Sequence, residues 1–399
     1  MSQQPRTFTQ TLPTPFHARI APLMKGHDWS RWSGFATVNT FTNVEEEYFA
    51  MRNAATLFDV SPMTKYRIAG PDAGRYLNRL LPRDIDKLAP GRVFYTVWCN
   101  DAGHVIDDGT LFRFGPDEFR LNAQERHLPW LEDSAIGFDV IIEDVTEAIA
   151  GLSLQGPTSC AILRELQLSG VGDLKPFDMA DFDLGDIKLT VTRTGFSGDL
   201  GFELWVDADH AESLWDRLMA AGAELHGLKP SGSAALDMVR IEAGFIATNT
   251  DFVAADQALR DSRGRSPFEL GLGWMVNFNK GHFNGRRALL REHETGSSRY
   301  CLVGLDVAGN KPAHQALIYY GGGARDVGAV TSAMWSPTCK RNIALAMVET
   351  PFHTKSEGLW ADVYVQKELK WEKVRAACQI VERPFFKPAR RTNTPPADR

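Results

Sequence analysis

Several classes of function are excluded by what this sequence lacks. Its five cysteines, at 99, 160, 301, 339 and 378, are odd in number and share no C-x-x-C spacing. That argues for reduced thiols in a cytoplasmic protein and against a disulfide framework or a zinc site. The ten histidines contain no H-E-x-x-H and no close pair, so no metal signature is present. The 44 lysines and arginines are outnumbered by 50 acids, giving a net charge of −6, which leaves no basic footprint for nucleic acid. No run approaches the ~20 apolar residues of a membrane span. The opening MSQQPRTFTQTLPTPF is too polar for a signal peptide. Neither a P-loop nor a dinucleotide fingerprint occurs, which disfavours a nicotinamide or flavin oxidoreductase.

What remains is an ordinary globular composition over 399 residues, enough for two to four domains at roughly 100–200 residues each. Asn43 precedes three acids in NVEEEYFAMRN and predicts a capped helix. Gly70-Pro71-Asp72 opens a second helix, with Tyr76, Leu77, Leu80 and Leu81 on one stripe. From Arg92 to Asn122 the period falls to two, with a turn at GPDE, and predicts an antiparallel meander. IAGLSLQGP, KLTVTRTGF and GFELWV read as strands. Asp209, three residues before Glu212, is expected to cap a helix carrying Leu214, Trp215, Leu218 and Met219. SAALDMVRIEAGF forms another helix, ending at Gly244. Beyond Arg299, six short β-type segments separated by glycines and prolines predict a small barrel or sandwich. The basic tail from Lys387 is expected to be loosely ordered. The fold class is α+β in several domains, the last mainly β.

The stretch TRTGFSGDLGFEL, Thr192 to Leu204, holds three glycines at i, i+3 and i+6 but no lysine, and β-type residues follow it. Physics alone makes it a hairpin whose glycines supply positive φ.

Several segments, in order, resemble the folate-dependent aminomethyltransferase family, whose namesake is the T-protein of the glycine cleavage system. They include LFDVSPM (57–63), GPDAGRYLNRLL (70–81), GRVFYTVWCNDAGHVIDD (91–108), LQGP (154–157), RTGFSGDLGFEL, RIEAG (240–244), PFELGLGWMV (267–276) and VTSAMWSPT (330–338). The resemblance covers roughly residues 14 to 386. It implies a three-domain cloverleaf around a central tetrahydrofolate channel. Residues 1–55 with 147–256 would form the folate-binding domain, 56–146 with 257–298 a second α+β domain, 299–386 a C-terminal β-barrel, and 387–399 a basic tail.

The same resemblance implies the site. The glycine hairpin would bring its backbone close to the pterin, and Glu203 would accept two parallel N–H bonds from the amino-pyrimidine edge. Phe196 stands where the family has tyrosine. Asp107 and Asp108 lie in one strand and face opposite ways, so only one enters a site; the catalytic aspartate of the family's G-G-x-x-D-D motif carries over to Asp107. Arg240 would offer the cofactor's glutamate a fixed cation, or else pair with Glu242 or a neighbour on the helix surface. Met63, Tyr95 and Trp335 occupy family-motif positions, and taken singly core packing is the better reading of each. Asn122 would hydrogen-bond the pterin or merely end a strand.

Departures concern the donor. His104 replaces the motif's second glycine, Ser61-Pro62-Met63-Thr64 replaces S-H-M-G, and SGFATVNTF (33–41) has lost the family's tryptophan and proline. The resemblance then implies tetrahydrofolate as the acceptor, and the departures lead us to expect a small-molecule donor bearing a methyl or aminomethyl group. The alternatives are an aminomethyl-lipoyl carrier protein as donor, or a non-catalytic folate sensor.

Overall fold

The computed structural model describes residues 11–355 and 357–395. A hairpin of β1 (Trp29–Trp32) and β2 (Phe35–Val38) precedes two sheets built from interleaved segments. In chain order the next strands are β3 (Ala55–Asp59), β4 (Thr64–Ala69), β5 (Arg92–Cys99), β6 (Val105–Arg113), β7 (Glu118–Ala123) and β8 (Ile141–Asp144). They continue as β9 (Ile149–Gln155), β10 (Met179–Leu184), β11 (Ile187–Thr192), β12 (Gly201–Asp207) and β13 (Leu228–Pro230). One sheet has the order β10-β11-β12-β9-β3-β13 and the other β5-β6-β7-β4-β8. β3 therefore lies with residues 147–256, and the chain changes sheet twice, at the turn after Asp59 and again between Asp144 and Ile149.

The barrel is closed. Strands β14 (Tyr300–Val307), β15 (Leu317–Tyr320), β16 (Asp326–Ser336), β17 (Arg341–Glu349), β18 (Leu359–Lys367) and β19 (Lys370–Val381) pair in the order β14-β17-β16-β15-β18-β19, and β19 returns to β14. Alternate residues such as Leu305, Ile318, Ala344 and Ala361 fill its interior, so closure removes the unpaired edges that an open sheet of this length would expose.

The helices follow local chemistry. Asn43 Oδ1 accepts from the Glu46 amide and starts the helix Val44–Asn53. The stripe Tyr76, Leu77 and Leu80 of the helix Ala73–Leu80 is fully buried against the five-stranded sheet. Asp209 is not a cap. It sits inside a short 3-10 turn, Ala208–His210, and the helix Ala211–His226 begins after His210 without a side-chain cap bond. The turn supplies the first backbone acceptors, which is why the Asp209–Glu212 spacing misled.

The tail is fixed as far as Asn393. Arg390 reaches both carboxylate oxygens of buried Asp199, at 2.5 and 2.8 Å, and Arg193 Nη2 donates to the Asn393 carbonyl at 2.5 Å. A buried carboxylate needs donors, and Asp199 draws the basic segment onto the body. Among the described residues no helix is long and apolar enough to cross a membrane.

Candidate functional site

The site is set by which face of the five-stranded sheet each side chain takes. Tyr95 pairs with Thr110, Thr110 with Asn122, and Asn122 with Lys65, so these four sit side by side on one face. Phe112 and Arg120 continue that row. Residues of the other parity, Trp98, Leu111, Leu121 and Tyr66, form the core behind the sheet. By the same parity Asp108 stands on the row with Tyr95 and Thr110, while Asp107 points backward.

This reverses the assignment made from sequence. Asp107 is 0% exposed. Its Oδ2 lies 3.0 Å from His127 Nε2 and accepts the Glu125 amide at 3.1 Å, while its Oδ1 accepts the Asp108 amide at 2.9 Å. Asp108 is only half-buried and accepts the Tyr95 hydroxyl at 2.9 Å. The alternation argument was sound, but sequence carries no origin for the alternation; the sheet pairing supplies it. The Thr248 hydroxyl, from the loop after the helix Ser233–Glu242, lies 2.7 Å from Asp107 Oδ1 and 2.8 Å from Asp108 Oδ1.

Charge follows from this packing. Burial and the neighbouring Asp107 push the Asp108 carboxyl up to about 7, against the Thr248 and Tyr95 bonds that pull it down. Burial and the carboxylate of Asp108 hold the Tyr95 phenol well above its ordinary value. Burial alone lowers the imidazole of His127, but its bonds to Asp107 and Asp256 win and raise it to about 9.

Glu203 faces this row from the six-stranded sheet. Its neighbours Phe202 and Leu204 point into the core, and Trp205, on its own side, meets Phe112 edge-on at 5.8 Å. Glu203 Oε2 accepts the Thr194 hydroxyl at 2.6 Å, while Oε1 has no hydrogen-bond partner among the described residues. Burial pushes the Glu203 carboxyl up, and the Thr194 bond and nearby Arg120 partly offset that. Asn122 is fully buried, and neither Nδ2 nor Oδ1 has a partner. Unpaired amide atoms in such a place are costly.

Arg120 belongs to the same face. Its guanidinium lies over Phe112 at 4.4 Å, Trp205 at 4.8 Å and Phe114 at 5.4 Å, with Nε and Nη2 unpartnered; burial lowers it to about 9. Lys65 Nζ donates to the carbonyls of Met63 (2.7 Å), Ser61 (2.8 Å) and Thr146 (3.3 Å), which fixes the turn before β4. Burial lowers this amine to about 7. Met63 packs on the cluster of Phe58, Val60, Val93, Phe112 and Trp205 under the same face. The altered stretch at 33–41 also borders it: Ser33 Oγ and Trp32 Nε1 both donate to the Gln124 carbonyl, two residues past Asn122.

Three further residues expected at the site make other contacts. Arg240 is buried with all five N–H donors engaged: by Asp237, by the Phe245 carbonyl, by Asp251 at 2.5 Å and by Ser332 at 2.8 Å. No donor is left for a ligand, and Glu242 is not its partner either, because Arg52, Tyr48 and Ser336 hold that carboxylate. Trp335 is 40% exposed, since the pleat of β16 sends Ser332, Met334 and Ser336 toward the helix and Trp335 the opposite way. Phe196 stacks on Phe245 at 5.6 Å. The hairpin glycines also have a packing reason: a side chain at Gly195 or Gly201 would strike Gln155, and one at Gly198 (φ +68°) would strike Ala243.

Tyr95, Asn122, Met63 and Glu203 are thus brought to the face between the two sheets. Asp108, Thr248, His127, Arg120 and Lys65 were not singled out from sequence. Only the D-D pair marked Asp108 there; Thr248 and His127 lie 140 and 19 residues from it and carry no local signal.

The comparisons agree with this architecture. Residues 15–280 match the GCVT N-terminal domain and residues 301–387 the glycine cleavage T-protein C-terminal barrel domain. An aminomethyltransferase of Caldanaerobacter subterraneus is 36% identical over 327 residues, covering 80% of this chain and 84% of that protein. The aminomethyltransferase of Bacillus subtilis is 34% identical over 354 residues, covering 87% and 92%. A trimethylamine-oxide aldolase of Ruegeria pomeroyi is also 34% identical, over 359 residues, covering 86% of this chain and 44% of that longer protein. The crystal structure of the glycine cleavage aminomethyltransferase T from Bartonella henselae has the same fold, with a TM-score of 0.80 at 24% identity, covering 94% of this chain and 98% of that one. The chain belongs to the aminomethyltransferase family of the glycine cleavage T-protein, a family of one-carbon transferases.

Proposed function

We propose that this enzyme moves a methyl or aminomethyl group from a small-molecule donor to N5 of tetrahydrofolate. The observation that carries the reading is the pairing of a half-satisfied buried carboxylate, Glu203, with the wholly unpartnered amide of Asn122 on the face between the two sheets. Together they offer an acceptor for N–H groups and a donor–acceptor pair, which suits the edge of a pterin.

When bound, the folate supplies the nucleophilic nitrogen. Glu203 accepts from its amino-pyrimidine edge, Asn122 hydrogen-bonds the ring, and the turn held by Lys65 presents Met63 as an apolar wall. Asp108, oriented by the Tyr95 hydroxyl, takes the proton that the attacking nitrogen must lose. A carboxyl held near 7 is matched to that task at neutral pH. Apolar packing around Phe112 and Trp205 keeps water from the reacting centre.

The relatives named aminomethyltransferase favour a second donor, an aminomethyl group on a lipoyl carrier protein. A relative of comparable identity named for trimethylamine oxide supports a small amine-derived donor instead. In the test, purified protein is melted with tetrahydrofolate at a hundredfold excess over its dissociation constant, where linkage gives about 2.7 kcal/mol of stabilisation. Glu203→Ala should lose most of that shift, and a full shift in the variant refutes the pterin-edge assignment. Sulfonium, methylamine and methoxy compounds are then screened for 5-methyltetrahydrofolate. Turnover only with an aminomethyl-lipoyl carrier selects the second donor, and binding without turnover by any donor selects the sensor reading.

A further inference from the structure

We infer that the Thr248 hydroxyl is a two-way hydrogen-bond partner that follows the protonation state of Asp108, with Asp107 and His127 as the fixed assembly on which it swings. The inference rests on the proposed role of Asp108 as the base.

A hydroxyl carries one proton, and Thr248 Oγ1 stands within bonding distance of a carboxylate oxygen on each side, 2.7 Å to Asp107 and 2.8 Å to Asp108. It cannot donate to both. With Asp108 ionised, Thr248 donates to Asp108. Once Asp108 has taken a proton from the attacking nitrogen, the new Asp108 O–H donates to the Thr248 oxygen, and the Thr248 proton turns to Asp107. No other bond changes, and Asp108 keeps the same partner in both states.

The second arrangement needs Asp107 to remain an acceptor throughout. It is held so by the amides of Asp108 and Glu125 and by His127 Nε2. His127 is buried, with its Nδ1 3.5 Å from Asp256, its ring edge on Trp98 and its own amide bonded to the Tyr66 hydroxyl. The raised imidazole of His127 sets a positive charge 3.0 Å from the Asp107 carboxylate. The loop that carries Thr248 is equally fixed: Asp251 accepts the Ala247 amide, Arg240, Thr331 and Ser332, and Gln124 donates to the Thr248 carbonyl. Arg240 therefore serves the site indirectly, by anchoring this loop. The titratable groups facing Asp108 are Tyr95 and Asp107, and behind Asp107 stand Glu125, His127 and Asp256. In such a low-dielectric place, a base without a reversible partner would leave one of its two states unsatisfied.

Thr248→Val removes the hydroxyl at nearly constant volume, and Thr248→Ser restores it. The readout is the infrared carboxyl band of the ligand-free full chain, titrated with pH, and it needs neither folate nor donor. In Thr248→Val the ionised form of Asp108 loses a donor, so its proton should be retained to about one pH unit higher, the equivalent of one hydrogen bond to a charged group. Thr248→Ser should titrate like the wild type. In His127→Gln, which removes the cation behind Asp107, Asp108 should hold its proton to higher pH, and this variant tests the assembly should Thr248→Val not fold. A Thr248→Val titration that superposes on the wild type, a Thr248→Ser that behaves like Thr248→Val, or an unmoved His127→Gln each overturns the inference. Loss of the folate reading with these shifts intact would leave the hydrogen-bond device standing without its proposed substrate.

Discussion

Replacing each of the two adjacent aspartates by asparagine separates chemistry from stability. Asp108→Asn keeps the shape and the Tyr95 contact but cannot take a proton. Removal of a general base or one fixed electrostatic group costs roughly 10²–10⁴ in rate. The same change should raise the melting temperature at pH 8. The folded protein holds the Asp108 carboxyl up to about 7, while an unfolded chain releases it near 4. The native state thus binds the extra proton between about pH 4 and 7, so stability falls as pH rises through that window and the loss is complete above it. Three pH units correspond to about 4 kcal/mol as an upper limit, reduced by solvent at this half-buried edge. Asp107→Asn should do the reverse. It strips a fully buried imidazolium of its nearer carboxylate, His127 to Asp107 at 3.0 Å, and breaking a buried pair costs about 3–5 kcal/mol. Thermal melts at pH 5 and 8 and single-turnover kinetics with saturating folate decide the matter. An inactive, unchanged-stability Asp107→Asn beside a fully active Asp108→Asn would refute the face assignment. In the wild type, if Asp108 is the base, the rate should fall about tenfold per pH unit below about 7.

The other predictions use the same logic. Asn122→Leu removes two unsatisfied buried atoms, so the ligand-free protein should melt higher, by about 1–3 kcal/mol, while the shift given by tetrahydrofolate shrinks; a lower melt means Asn122 has partners in solution. Arg240→Met leaves Asp251 without its cation and should destabilise by about 3–5 kcal/mol in chemical denaturation, with the fraction that stays folded still binding folate. Retained stability with lost folate binding would return Arg240 to the ligand.

The sequence determined the elements and much of the order in which they assemble. Period-two runs with glycine turns specified the meander of β5 to β7 and the six barrel strands, because a half-buried strand must alternate and a tight turn needs special φ/ψ. Asn43 as a cap and the stripe at Tyr76, Leu77 and Leu80 were equally local. The hairpin that carries Glu203 was legible through its glycines and flanking β-type residues. Tertiary structure alone decided which parity of each strand faces the other sheet. That parity is fixed by pairing across strands far apart in sequence, and it exchanged Asp107 for Asp108 and turned Trp335 away. It also decided the fate of charges. Arg240 looks the same in sequence whether it meets a ligand or a buried aspartate, and only the approach of Asp251 and Ser332 settles which. Thr248 and His127 gain their roles from long-range contacts that no local spacing encodes, since each is made useful by a carboxylate another segment brings within 3.0 Å.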